Sequence, residues 1–147
     1  MNNIDRLIAI EEIKQLKARY FRCVDTKDWA DYSRVFAPDV QFDISDDMPD
    51  GVFTGADKAV ETARNGLADC LSIHHGHCPE IDITSDTTAT GIWAMEDMLR
   101  WSEAAEFPNQ TMHGYGHYYE EYEKIDGRWH IKKMKLARLR VDVQEGT

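Results

Sequence analysis

The chain has 147 residues and carries 27 Asp and Glu against 17 Lys and Arg, a formal net charge of -10. That surface repels polyanions and argues against a nucleic-acid partner, while 42% hydrophobic and 10% aromatic residues suffice for a sizeable core. No run approaches the roughly 18 apolar residues of a membrane helix, and the opening MNNIDRLIAIEEIKQ lacks the basic and long apolar regions of a secretory signal. Cys23, Cys70 and Cys78 cannot all pair within one chain, and none forms a C-x-x-C. The expectation is a single domain over 1–147, reduced and cytoplasmic.

The spacing of Ile10, Ile13, Leu16, Tyr20 and Val24 predicts an amphipathic helix over 4–24, with Glu11, Glu12, Lys14 and Lys17 off the apolar stripe. Asp28 reads as the N-cap of a short helix over 29–36, with Asp31 in its first turn. Ala37-Pro38-Asp39 stops that helix, a strand follows over 40–44, and the polar run 45–51 is a loop. After Gly55, Asp57 is placed to cap a third helix reaching about Asp69.

Beyond that point the period changes to two. Segments 71–83, 87–101, 111–124 and 129–141 are rich in Thr, Ile, Val, Trp and Tyr and read as strands. Thr84-Ser85-Asp86 joins the first two, and Asp126-Gly127 is the chemistry of a tight hairpin. Helices first and strands after predict an α+β fold, with N-terminal helices on one face of a curved, mainly antiparallel sheet. Such a sheet forms a cone whose mouth can take a ligand.

Polar side chains on apolar faces mark the candidate chemistry. On a strand, Ser72, His74, Cys78 and Glu80 share one face, while His75 and His77 share the other. His75, His77 and Glu80 match a metal-binding pattern only loosely, so surface histidines are the preferred reading and no metal is expected. Asp97 stands among Gly91, Trp93, Met95, Leu99 and Trp101, where an unpaired carboxylate costs several kcal/mol. It is either half of a buried Asp–Arg pair or a cavity carboxylate. Arg138 shares parity with Met134 and Leu136 and is the candidate partner, or a ligand for a carbonyl or carboxylate. Asp25 opposes the helix dipole at its C-terminal end, and either bonds the local loop or turns inward to hold an imidazole. Tyr20, on the apolar stripe, has a hydroxyl that needs a partner.

Several strings match a known family together: IKQL, YFRCVD and DW in the first two helices, SIHHGHCPEI, TATGIW with Glu96-Asp97, and YEKIDGRW. Over about residues 4–141 the chain resembles the SnoaL-like, scytalone dehydratase-like branch of the nuclear transport factor 2-like superfamily. The resemblance implies a cone-shaped α+β barrel, with His74 as catalytic base, Asp25 as its orienting carboxylate and Tyr20 as the active-site tyrosine. It further implies that Asp97, Arg138 and Trp93 bind substrate. Scytalone dehydratases carry a second histidine on the strand equivalent to 91–101, where this chain has Met98-Leu99-Arg100. His113 or His117 on the next strand is the remaining candidate.

These residue types permit proton abstraction α to a carbonyl followed by loss of a β-hydroxyl, without a cofactor. The resulting expectation is a dehydratase for a hydroxylated, largely apolar ring compound such as a steroid, terpenoid or aromatic polyketide. A ketosteroid-isomerase-like double-bond shift and a non-catalytic binding module are the alternatives. Assembly into a homo-oligomer, dimer or trimer, is expected from the family.

Overall fold

Asn2 accepts a hydrogen bond from the Asp5 backbone N–H at 2.9 Å and opens helix α1 (Asn3–Thr26), which ends where Lys27 turns left-handed at φ 57°. The computed structural model describes every residue from Met1 to Thr147. Asp28 caps α2 (Trp29–Arg34) by accepting from the Asp31 N–H at 3.2 Å. Strand β1 (Phe36–Asp43), strand β2 (Val52–Thr54) and helix α3 (Ala56–Gly66) follow. The long strands β3 (Cys70–Ile83), β4 (Thr88–Trp101), β5 (Thr111–Ile125) and β6 (Arg128–Gln144) complete the chain.

The six strands form one sheet in the order β2-β1-β6-β5-β4-β3. Every pair is antiparallel except β1 with β6. Consecutive hairpins build the β3–β6 half, and Asp126 (φ 49°) with Gly127 (φ 78°) makes the tight turn between β5 and β6. Helix α1 lies against the inner face. Its Ile13, Leu16, Tyr20 and Val24 pack with Val40, Phe42, Tyr118, Tyr122, Ile131 and Met134 in a single apolar core. No helix is long and apolar enough to cross a membrane.

Four local expectations are corrected. Strand β1 begins at Phe36 and runs through Ala37-Pro38-Asp39, because its register against β6 jumps between Phe36 and Gln41. That irregularity accommodates a proline, which has no N–H to give a ladder. Helix α3 is capped by Gly55 rather than Asp57 and stops at Gly66. Strand β3 carries a register shift between His77 and Glu80, with Cys78 at φ 43° and Pro79 unable to donate. The extra residue reverses the alternation, so Cys78 and Glu80 are exposed and do not share the face of Ser72 and His74.

Lys17 is the fourth correction, being wholly buried. It lies four residues after Ile13 and three before Tyr20, on the apolar stripe itself. Its Nζ bonds Glu120 Oε1 on β5 and sits 3.8 Å from the ring centroids of both Tyr20 and Tyr118. Tyr122 donates its hydroxyl to Glu120 Oε2, and Trp93 Nε1 donates to the Tyr122 oxygen at 2.9 Å. One buried carboxylate thus gathers a lysine, a tyrosine and a tryptophan across three elements. Burial lowers the Lys17 pKa, against the opposing charge and hydrogen bond of Glu120.

Burial also raises the phenol pKa of Tyr20, Tyr32, Tyr118 and Tyr122. The folded state therefore keeps these four protons where the unfolded chain releases them, above about pH 10. Stability contributed by the neutral phenols is present below pH 10 and lost as pH rises beyond it. Lys17 works in the opposite sense, but only below its unfolded value of about 10.5. Above that, denaturant melts should lose stability at up to about 5 kcal/mol per pH unit. A flat profile from pH 9.5 to 11.5 would mean that water reaches these hydroxyls.

Candidate functional site

Strand β3 is the last strand of the sheet, so the His74 N–H is free of the ladder and donates to Asp25 Oδ2 at 2.8 Å. The same carboxylate reaches the imidazole, with Oδ1 2.6 Å from His74 Nδ1. Ser72, two residues earlier on the same face, donates its hydroxyl to Oδ1 at 3.2 Å. Three donors from one strand thus converge on Asp25 in the last turn of α1. The helix-dipole cost of a carboxylate at that end is offset by the partners it gains. Holding the proton on Nδ1 leaves the Nε2 lone pair able to accept another.

A groove of about 560 Å³ between α1 and β3 reaches this pair, with Phe21 and Arg22 on the helix side and His74 and Gly76 on the strand side. The His74 side chain is 10% exposed and that of Asp25 22%. The base is shielded but reachable.

Directly across the ladder from His74 stands Asp97. Arg138 grips it in a fork, Nη1 to Oδ1 at 2.7 Å and Nη2 to Oδ2 at 2.9 Å. A second fork joins Arg138 to Asp47, Nε to Oδ1 at 2.8 Å and Nη2 to Oδ2 at 2.9 Å. With Nη1 also 3.7 Å from Met95 Sδ, all five guanidinium N–H groups are engaged. Burial pulls the Arg138 pKa down, but the hydrogen bonds and charges of Asp97 and Asp47 outweigh it and raise it. The Arg138 backbone N–H donates to Asp46 Oδ2 at 2.8 Å, so the loop after β1 is tied to β6 at both the main chain and the side chain.

Gly114 on β5 is the partner of Asp97 in the next ladder, and a Cβ there would overlap both Arg138 Nη1 and Asp97 Oδ1. Gly114→Ala should therefore displace the ion pair and cost about 1–3 kcal/mol. Chemical denaturation reads that cost, and an unchanged midpoint would show that the pair shifts freely.

The remaining expected residues fall elsewhere. Tyr20 lies in an aromatic cluster with Phe21, Tyr32, Phe36 and Tyr118, its ring centroid 5.4–6.1 Å from theirs. Trp93 is buried and donates to Tyr122. Neither lines the His74 groove, and nor do Asp97 and Arg138. His113 and His117 pair in register with Met98 and Ala94, on the face opposite Asp97, so neither replaces the missing second histidine. His75 and His77 also lie on that outer face, where the carboxylate beside them is Glu96 rather than Glu80.

Ser72, Asp46, Asp47 and Gly114 are the site residues that pattern reading missed. Ser72 shares the parity of His74 and was visible in principle. The two aspartates lie in a polar loop, and no local signal connects positions 46 and 47 with position 138.

A family model for the SnoaL-like domain matches residues 5–135 of the chain, and the chain belongs to that family. Its α+β fold, an N-terminal helix packed on a curled, mostly antiparallel six-stranded sheet, is the nuclear transport factor 2-like fold. Among solved structures it is similar to a type 2 hexachlorocyclohexane dehydrochlorinase, LinA, with a TM-score of 0.84 at 22% identity over 99% of this chain and 95% of that one. A scytalone dehydratase-like protein from Novosphingobium aromaticivorans matches with a TM-score of 0.83 at 20% identity, over 99% and 94%. A single-residue variant of a protein of unknown function from Mycobacterium tuberculosis matches at 25% identity and a TM-score of 0.74, over 91% and 78%.

Proposed function

We propose that the protein is a cofactor-independent lyase that dehydrates a hydroxylated, largely apolar ring compound. The observation that carries this reading is the 2.6 Å contact between Asp25 Oδ1 and His74 Nδ1 beside a groove. An imidazole so held is an oriented base, which a binding protein has no need of. In the elimination, His74 Nε2 takes the proton from the carbon α to a carbonyl, and the C–H electrons move into an enolate. Collapse of the enolate forms the C=C bond and expels the β-hydroxyl. That hydroxyl takes the proton back from the imidazolium, leaves as water and restores neutral His74. Asp25 stabilises the cation that exists between the two transfers. The names of the two lyase-type neighbours, a dehydrochlorinase and a scytalone dehydratase-like protein, support β-elimination as the reaction class.

Tyr20, packed against Phe21 rather than lining the groove, is the proposed donor to the enolate oxygen, a role that requires the core to open toward the substrate; burial keeps its hydroxyl protonated. Tyr20→Phe should lower kcat by about 10- to 1000-fold with little change in KM. An unchanged kcat would leave Tyr20 as core packing alone. Asp97, Arg138 and Trp93 are proposed to shape the substrate end of the cone. Self-association into a dimer or trimer belongs to the same reading, and light scattering measures it.

The direct test is a panel of β-hydroxy-carbonyl ring compounds incubated with the purified protein and followed by mass spectrometry. Loss of one water supports the proposal. A shifted double bond at unchanged mass would make the protein an isomerase, and binding without conversion would make it a binding module.

A further inference from the structure

The outer face of the sheet, opposite Asp97, carries a second cluster of ligand-type side chains, two of which, His75 and His77, also border the groove that reaches Asp25 and His74. His75 and His77 stand two residues apart on β3 and so point the same way. Glu96 on β4 is the ladder partner of His75 and reaches both rings. His77 Nε2 lies 3.4 Å and His75 Nδ1 3.8 Å from Glu96 Oε1. The donor atoms of the three residues all fall within 4.8 Å of one another.

The other oxygen of Glu96 is held separately. His113 Nε2 on β5 is 3.1 Å from Glu96 Oε2, and the Tyr115 hydroxyl is 3.3 Å from His113 Nδ1. If Tyr115 donates to Nδ1, the His113 proton sits on Nε2 and points at the carboxylate. Glu96 is thereby aimed at His75 and His77 by a hydrogen bond to its far oxygen, as ligating carboxylates commonly are.

We propose that His75 Nδ1, His77 Nε2 and Glu96 Oε1 form a binding site for a divalent transition metal of the Zn²⁺ class, with His113 as the residue that positions Glu96. Bonds of about 2.0–2.1 Å at tetrahedral angles place neighbouring donors roughly 3.3 Å apart. The 3.4 and 3.8 Å separations, and the His75–His77 separation of at most 4.8 Å, close to that spacing by side-chain rotation. Two imidazoles and one carboxylate suit zinc, copper or nickel and are poor ligands for calcium or magnesium. All three side chains are solvent-accessible, at 52%, 53% and 28% exposure, so an ion can enter without the sheet opening. The site clips the edge strand β3 to β4 immediately before the bulge at Cys78, at the rim of the groove that reaches His74, while none of its ligands takes part in the proposed elimination.

The test is titration of untagged, chelator-treated protein with Zn²⁺ alone by calorimetry, with light scattering and thermal melts in parallel. One ion per chain at unchanged molecular mass, with a rise in Tm on binding, is the expected result. His113→Ala should weaken binding by about 10- to 100-fold, and His77→Ala by more. Cys78→Ser and His117→Ala should bind as the parent does. All four positions are on the surface, and circular dichroism checks that each variant folds. Binding that survives in the His75→Ala/His77→Ala double variant, or disappears in His74→Ala while His77→Ala retains it, would overturn the site. So would less than one ion per chain with a rise in mass, since the metal would then bridge copies.

Discussion

His74→Ala is expected to lower turnover of any substrate found in the panel by about 10²- to 10⁴-fold, the range a positioned general base supplies. Circular dichroism and Tm should stay near the parent values, because the backbone N–H of residue 74 still donates to Asp25 Oδ2. Asp25→Asn is the sharper companion. With its oxygen kept on the His74 backbone N–H, its N–H₂ group faces the other two donors, the His74 ring and the Ser72 hydroxyl. The imidazole then loses the acceptor that keeps its proton on Nδ1, and kcat should fall while KM changes little. Full activity in His74→Ala would place the chemistry elsewhere. Equal loss of folding and activity in both variants would make the pair structural.

The largest expected effect on stability comes from Lys17→Met, which leaves Glu120 buried with its charge uncompensated by a cation. Loss of one partner from such a pair costs about 3–5 kcal/mol. Tyr122 still donates to Glu120 Oε2, so the carboxyl retains one hydrogen bond. Adding Glu120→Gln removes the charge and keeps an acceptor for Tyr122, so the double variant should recover much of the loss. A double-mutant cycle by urea denaturation measures the coupling. Additive costs would mean that lysine and glutamate do not depend on each other.

The strands of the C-terminal half are legible because each buries one face only. Gly91, Trp93, Met95, Asp97 and Leu99 alternate with half-exposed residues over nine positions, so an inward Asp97 follows from parity alone. Asp25 was legible for another reason, since a carboxylate at the wrong end of a helix needs a partner to offset the dipole. Parity fails wherever a bulge inserts a residue. It misassigns Cys78 and Glu80, and β6 changes the parity of its buried residues between Ile131 and Met134. Lys17 reads as lying off the stripe because of its chemistry: four residues after Ile13 it has the spacing of an inward position, but a lysine is rarely buried without a partner, and Glu120 lies 103 positions away. The short strand β2 gave no periodic signal, having three residues with only Phe53 partly covered.

If the substrate enters beside Arg138, as proposed above, the saturation of that guanidinium bears on which molecules are accepted. A guanidinium with a free edge recruits carboxylates and phosphates, but here both edges are taken by Asp97 and Asp47, two negative charges against one positive. An acidic substrate entering at this end would find no unoccupied donor and a local excess of negative potential, on a chain of net charge -10. Neutral ring compounds carry no such penalty, and cationic ones are favoured. Under the proposed function, with Asp97 and Arg138 at the substrate end of the cone, the clamp on Arg138 is a filter on ligand charge.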